Sequence, residues 1–190
     1  MIRFSFILAL FVSSLIGFSQ EVLTDAQKSS ESSIKFLPTL NLGTLVNFQD
    51  IYIDFGAGAF ETKTKLGAQL NFAFRPYYKK VQIYEEANVI RQWKEKKYCL
   101  NLDVYKKLLE FHIAKTNTHF LLGVKTGYLF GDYRGTRQRP AAGFTFNPYA
   151  GISLNLNGIH LALAYQYFND HLASVPDSRF LISFTILLNE

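Results

Sequence analysis

The stretch LGAQLNFAFRP at positions 66–76 decides the fold, because its side chains alternate strictly in character. Its even-numbered positions up to 74 are apolar, namely Leu66, Ala68, Leu70, Phe72 and Phe74. Its odd-numbered positions are small or polar, namely Gly67, Gln69, Asn71, Ala73 and Arg75. Neighbouring side chains of a strand point to opposite faces. This period of two therefore predicts a strand with one bulky apolar face and one polar face.

The same alternation recurs along most of the chain and is interrupted by turn-forming residues. Asn157 and Gly158 separate two alternating segments, which is typical of a β-hairpin with a type I′ turn. We predict eight strands, at about 36–48, 51–60, 65–76, 97–113, 119–130, 142–156, 159–168 and 178–188. In the fourth strand the alternation changes phase, which predicts a bulge or a break at positions 105–107. The alternative for 104–113 is a short amphipathic helix.

The composition excludes several other classes of protein. Of the 190 residues, 48% are hydrophobic, 16% are aromatic and only 18% are charged, whereas an ordinary soluble domain has about 25% charged residues. These proportions exclude a disordered chain, a collagen-like repeat and a charge-rich coiled coil. Beyond the N-terminus no apolar run reaches the roughly 18 residues of a membrane helix. A single cysteine, Cys99, excludes an internal disulfide.

The two faces of the predicted strands indicate which one contacts water. The polar face carries small uncharged side chains with isolated charges such as Asp54, Lys125 and Arg179, which suits the crowded lumen of a small barrel. The apolar face of the clearest strands has no charge, and a basic side chain would cost about 2–4 kcal/mol there at the centre of a bilayer. The strands also place aromatic residues at one shared rim: Phe48, Tyr52, Phe74, Tyr77, Tyr78, Tyr128, Phe130, Phe144, Phe146, Tyr165, Tyr167 and Phe180.

We therefore predict an all-β, antiparallel up-and-down transmembrane β-barrel over residues 35–190. The first residues combine a positive start at Arg3, an apolar run and the small residues Gly17 and Ser19, which predicts a signal peptide over 1–19 with cleavage near Ser19. A buried or membrane-anchoring helix is the alternative for this segment. Residues 20–34 are polar and rich in serine, which predicts a flexible tail.

On these segments the sequence resembles the small eight-stranded OmpA/OmpX type of bacterial outer-membrane β-barrel protein. The resemblance implies an outer-membrane location in a Gram-negative bacterium and recognition by the outer-membrane assembly machinery. Proteins of this type end in an aromatic residue, whereas this chain ends in Asn189 and Glu190. The junction from Gly17 to Gln20 is similar to signal-peptide ends of Bacteroidetes-type bacteria.

An eight-stranded barrel is narrow enough for side chains to fill its interior, so we expect no wide pore. We expect a monomeric structural or surface-interaction protein without catalytic activity, cofactor or metal. Its longer connections, 77–97 and 131–141, are rich in cations that suit phosphate groups such as those of lipopolysaccharide. The candidate contacts are Lys79, Lys80, Arg91, Lys94, Arg134, Arg137 and Arg139. The alternative is that these loops are simply solvated. The small net charge of an exported chain argues against nucleic acid as a partner.

Two other functions remain as alternative interpretations of the sequence. Some small outer-membrane barrels modify lipid A with a serine and a histidine, and the candidates here are His171, Ser174 and Asp170, which would orient the imidazole. The other alternative is a soluble periplasmic lipocalin-like lipid carrier, against which the charge-free apolar face argues. The remaining histidines lack the spacing of a metal site, and His160 is predicted to form hydrogen bonds in the lumen.

Overall fold

The computed structural model describes residues 35–85, 89–113, 116–156, 158–168 and 177–188. The predicted signal peptide over 1–19 and the predicted tail over 20–34 lie outside these residues. The described chain forms nine strands: β1 (Phe36–Val46), β2 (Ile51–Glu61), β3 (Leu66–Phe74), β4 (Lys79–Glu85), β5 (Val89–Ile113), β6 (Thr116–Tyr133), β7 (Gly143–Leu156), β8 (Ile159–Phe168) and β9 (Asp177–Leu187). The described residues include no helix long and apolar enough to cross a membrane.

Eight of these strands close into a ring in which every pairing is antiparallel. Consecutive ring strands pair as hairpins, β3 pairs with β5, and β1 closes the ring by pairing with β9 from Thr39↔Leu187 to Val46↔Phe180. β4 lies outside the ring and pairs with the first residues of β5, Val89 to Glu95. A closed ring has no free strand edges at membrane depth. The predicted all-β, antiparallel up-and-down barrel of eight strands is confirmed.

The barrel has two unlike ends. At one end, which we call the turn end, β1 begins, β9 ends, and the connections are short, at 62–65, 114–115 and 157–158. At the other end, the loop end, lie the β1–β2 hairpin, the β4–β5 hairpin, the connection 134–142 and the end of β8. Short turns at one end and longer loops at the other are typical of outer-membrane barrels, where the longer loops face outward.

The two faces of the strands are those predicted from the sequence. Leu70 is 59% exposed on the outside of the ring, whereas its neighbour Asn71 is fully buried inside it. The same split holds in β7, where Phe144 and Phe146 are exposed and Thr145 and Asn147 are buried. Large apolar side chains thus cover the outside of the barrel, while the lumen holds the polar side chains together with apolar ones such as Leu45, Leu121 and Leu181.

The uncharged part of the outer surface has the height of a membrane core. On β5, outward-facing cations lie at Lys96 near the loop end and at Lys106 near the turn end, and the outward residues between them are uncharged. The ten residue steps that separate them correspond to about 33 Å along a strand, or about 25 Å for a strand tilted by about 40°. An apolar band of about 25 Å is what a transmembrane barrel presents to lipid.

Aromatic side chains surround the loop end of this band, as predicted. Neighbouring rings contact each other across strand pairs: Phe72–Tyr98 at 6.2 Å, Tyr98–Phe130 at 5.5 Å, Tyr128–Phe144 at 5.2 Å and Tyr165–Phe180 at 5.5 Å between ring centroids. The prediction was wrong for Tyr52, which is 1% exposed and lies inside the lumen. It alternates with Ile51 and Ile53, so its ring points inward and contacts buried arginines instead of lipid.

One predicted loop and one predicted alternative differ from the structure. The connection 77–97 was predicted to be a loop, yet it contains β4 and the start of β5. This hairpin lies beyond the ring, and charged residues such as Lys79, Glu85 and Arg91 interrupt the apolar alternation that marks the membrane strands. The helix considered for 104–113 is wrong, because β5 continues to Ile113 and the predicted irregularity is a register shift between Lys107 and Glu110. A shift of this kind lets the strand bend without leaving the sheet.

Candidate functional site: a filled lumen and a cationic groove at the loop end

Charged side chains from several strands meet in the middle of the lumen. Lys125 on β6 is 1% exposed and forms a salt bridge with Asp54 on β2, which is fully buried. Its ammonium group also lies 3.8 Å from a carboxylate oxygen of Asp103 on β5. Tyr149 on β7 donates a hydrogen bond of 2.8 Å to the other oxygen of Asp103. This central cluster therefore joins four strands across the lumen.

A second cluster occupies the lumen at the loop end. The Arg75 guanidinium lies 3.1 Å from Asp50 in the β1–β2 hairpin and 3.4 Å from Glu95 on β5. It also donates a hydrogen bond of 3.3 Å to the hydroxyl of Tyr52. Arg179 on β9 lies over the Tyr52 ring at 4.3 Å. All of these groups are buried, so the loop end of the lumen is filled by paired charges.

A third cluster lies near the turn end. Lys107 on β5 donates a 2.8 Å hydrogen bond to Nδ1 of His160 on β8, which confirms the prediction that His160 forms hydrogen bonds in the lumen. The same ammonium group lies 4.6 Å from the centroid of the Phe60 ring. Nearby, His119 contacts Lys65 at 3.1 Å, and Glu110 forms a salt bridge of 2.8 Å with Lys65.

Glycines on the inner wall make room for the large lumenal rings. A Cβ atom on Gly67 would overlap the Tyr105 ring, and one on Gly123 would overlap the Tyr149 ring. The cavity beside these rings has a volume of about 20 Å³, which is enough for about one water molecule. It is lined by Asn41, Gln69, Asp103, Tyr105, Lys107, Leu121, Tyr149, Ser153, His160, Ala162, Leu181, Ser183 and Thr185. The middle of the lumen is thus packed with side chains.

An open groove, which we call the rim groove, lies at the loop end where β6 passes into the 134–142 connection. Its volume is about 640 Å³, and it is lined by Tyr78, Asp132, Tyr133, Arg134, Gly135, Thr136, Arg137, Gln138 and Arg139. Tyr78 donates a hydrogen bond of 2.9 Å to Asp132. This bond to a negative carboxylate favours the neutral phenol and raises the pKa of Tyr78. Arg134 lies 5.9 Å from the centroid of the Tyr78 ring.

Lys96 lies directly beneath the rim groove, on the outer face of β5. It pairs in register with Asp132, and its ammonium group lies 5.8 Å from the centroid of the Tyr78 ring. The same group lies 5.9 Å from the Phe74 ring and 5.7 Å from the Tyr98 ring. Lys96 therefore lies at the junction between the aromatic girdle and the groove.

The structure separates the predicted phosphate contacts into different environments. Arg134, Arg137 and Arg139 come together in the rim groove. Lys79 instead lies 3.3 Å from Asp50. Lys80 and Lys94 are exposed, whereas the side chain of Arg91 lies outside the described part of the chain.

Sequence reasoning placed Lys96 only among the cations of the 77–97 connection, without selecting it as a phosphate contact, and placed Tyr78 only in the aromatic rim. The signal for Lys96 was a cation two residues before Tyr98, in phase with the outer face of β5. Its proximity to Arg134 depends on the pairing of β5 with β6, which the sequence does not specify.

The residues proposed for an enzyme, His171, Ser174 and Asp170, lie outside the described residues. Of the other histidines, His112 is exposed, and His119 and His160 are buried in the lumen. Among the residues that the structure describes, no cluster of three or more His, Cys, Asp or Glu side chains is placed to hold a metal ion.

No protein-family model matches this sequence, and no curated protein matches it either. Solved structures of outer-membrane proteins do match the fold. Neisserial surface protein A (NspA) is 11% identical, with a TM-score of 0.45, and the match covers 82% of this chain and 96% of that one. A major outer membrane protein from Thermus thermophilus is 10% identical, with a TM-score of 0.48 and coverages of 81% and 100%. The outer membrane enzyme PagL is 13% identical, with a TM-score of 0.38 and coverages of 80% and 99%.

Proposed function

We propose that this chain is a non-enzymatic, monomeric barrel of the bacterial outer membrane that serves as a structural or surface-interaction protein and conducts no solutes. The observation that carries this proposal is the filled lumen. Side chains of strands that are not neighbours in the ring meet at three levels, and the cavity among them has room for about one water molecule. A porin needs a water-filled channel, for which eight strands leave little room.

The outer surface supports the membrane location independently of the lumen. Its apolar band of about 25 Å matches the height of the lipid-facing band of a transmembrane barrel, and aromatic rings border the band at the loop end. A soluble carrier of lipocalin type would need charged side chains over that outer surface to remain in water. The proposed partners are outer-membrane lipids, lipopolysaccharide and the outer-membrane assembly machinery.

Conductance measurements test the absence of a pore. The purified barrel is inserted into a planar lipid bilayer of phosphatidylcholine, with a general porin as the positive control. We expect no stepwise conductance increase with the barrel, because Arg75 and Lys125 are held in ion pairs that block two levels of the lumen. Large discrete steps like those of the porin would contradict the proposal.

Lipid A analysis tests the absence of catalysis. Expression of the chain in a Gram-negative host should leave the acylation of lipid A unchanged as measured by mass spectrometry. If an acyl chain is lost or added, Ser174→Ala and His171→Ala should be examined, because loss of the modification in these variants would establish the enzymatic alternative.

A further inference from the structure

We propose that the rim groove, together with Lys96, binds the phosphate group of a lipid headgroup in the leaflet at the loop end. This inference rests on the proposed placement of the barrel in a membrane, and it adds a specific ligand site that a structural barrel does not require. It is also more specific than a general attraction of the charged loops to phosphate, because it names one location where several cations lie together.

The rim groove carries an excess of positive charge. Arg134, Arg137 and Arg139 line the groove, and Lys96 adjoins it through Tyr78. Asp132 is the one carboxylate among the described residues that line the groove. Cations gathered around one carboxylate repel each other, and a phosphate with two negative charges would compensate them through charge-assisted hydrogen bonds.

Two of these cations are held in place by neighbouring groups. Lys96 and Arg134 both lie within 6 Å of the Tyr78 ring centroid, at 5.8 Å and 5.9 Å. The ring itself is fixed by its hydrogen bond to Asp132. Arg134 is fixed through its backbone, whose N–H donates a 2.9 Å hydrogen bond to the carbonyl of Lys94. The two positive groups are therefore positioned before any ligand arrives, which reduces the entropy lost on binding.

The depth of the site favours a lipid over a free anion. The rings of Phe74 and Tyr98, which touch Lys96, belong to the aromatic girdle that marks the boundary between lipid tails and headgroups. The groove begins at Asp132, two residues beyond Phe130, which pairs with Tyr98 of this girdle. A lipid with its tails against the outer face of β5 and β6 would place its phosphate at this level. Its tails would meet the exposed side chains of Leu100 and Leu102.

The test measures lipid binding to the intact barrel in octyl glucoside, a detergent without phosphate, by native mass spectrometry. The ligand is lipid A carrying two phosphates, and the comparison ligand is the same lipid with both phosphates removed. We expect the double variant Lys96→Gln/Arg134→Gln to bind the phosphorylated lipid about 10- to 100-fold more weakly than the parent chain. The dephosphorylated lipid should bind both proteins equally and weakly.

A control variant, Lys35→Gln/Lys63→Gln, removes the same net charge from exposed positions at the turn end, far from the groove, and should bind the phosphorylated lipid like the parent chain. In Asp132→Asn the groove loses its carboxylate but keeps an oxygen that can accept the bond from Tyr78, so binding should become tighter. Equal weakening in the control and groove variants would overturn the site, and so would unchanged affinity in the groove variant. Displacement of the lipid by millimolar inorganic phosphate would overturn the assignment to a lipid.

The same samples distinguish a failure of this inference from a failure of the proposed function. A folded barrel migrates faster on a gel before heating than after it, and all three variants should show this shift because their substitutions lie at exposed or half-buried positions. If the parent chain shows the gel shift but binds no lipid A, the proposed membrane barrel stands and only the phosphate site is refuted. An unshifted parent chain would contradict the proposed function itself.

Discussion

Replacing Lys125 by methionine should strongly destabilise the barrel. The substitution keeps the length of the side chain but removes the cation between Asp54 and Asp103, which are both buried in the lumen. Two carboxylates would then face each other without a counter-charge in a poorly hydrated interior. Removing one partner of a buried ion pair costs about 3–5 kcal/mol, which corresponds to a fall in the folding equilibrium constant by about two to four powers of ten.

The assay is a urea titration of the barrel folded into phosphatidylcholine vesicles, which gives the free energy of unfolding. The triple variant Lys125→Met/Asp54→Asn/Asp103→Asn should recover most of the loss, because neutral groups of similar shape remove the uncompensated charge. Lys35→Met, at an exposed lysine, should differ from the parent chain by less than about 0.5 kcal/mol. A loss below about 1 kcal/mol in Lys125→Met, or no recovery in the triple variant, would refute the account of the lumen as a set of coupled charges.

Two further predictions concern the outer face and the inner wall. Leu70→Arg, at mid-height on the outside of β3, should lower the free energy of unfolding by about 2–4 kcal/mol. Leu66→Arg, on the same strand and face but near the turn end, should lower it by only about 0–1 kcal/mol. Equal losses in the vesicle titration would contradict the assigned membrane depth. Gly123→Ala should cost about 1–3 kcal/mol, because its methyl group would overlap the Tyr149 ring. Gly143→Ala, which has open space around it, should be nearly neutral, and a similar loss in both glycine variants would show that the ring contact is unimportant.

The sequence predicted the barrel because the membrane imposes one physical rule on every ring strand. A lipid-facing surface favours uncharged, apolar side chains, so the apolar Leu70 and the polar Asn71 can be assigned to the outer and inner face from their side chains alone. Tyr52 was assigned to the wrong side because an aromatic ring is suited both to a lipid interface and to a lumen that contains arginine. The β4–β5 hairpin escaped detection for a related reason, since a strand that lies beyond the membrane has no need of an apolar face.

The contacts within the candidate sites could be predicted from the sequence less well than the fold. Arg134 was identified as a cation in a loop, but its relation to Lys96 depends on the pairing of Lys96 with Asp132 across β5 and β6. Likewise, the isolated charges Asp54 and Lys125 were assigned to the lumen, whereas their contact depends on which strands face each other across the closed ring. Register and closure are properties of the whole sheet, and the local alternation of side chains does not fix them.

The central claim, that the apolar face of this barrel lies in the outer membrane, is tested most directly by the location of the chain in the cell. Outer and inner membranes of a Gram-negative host expressing the chain are separated on a sucrose gradient, and each fraction is run on a gel with and without heating. The account predicts that the chain is found in the outer-membrane fraction and migrates faster when unheated. Recovery of the folded chain in the soluble periplasm would contradict it.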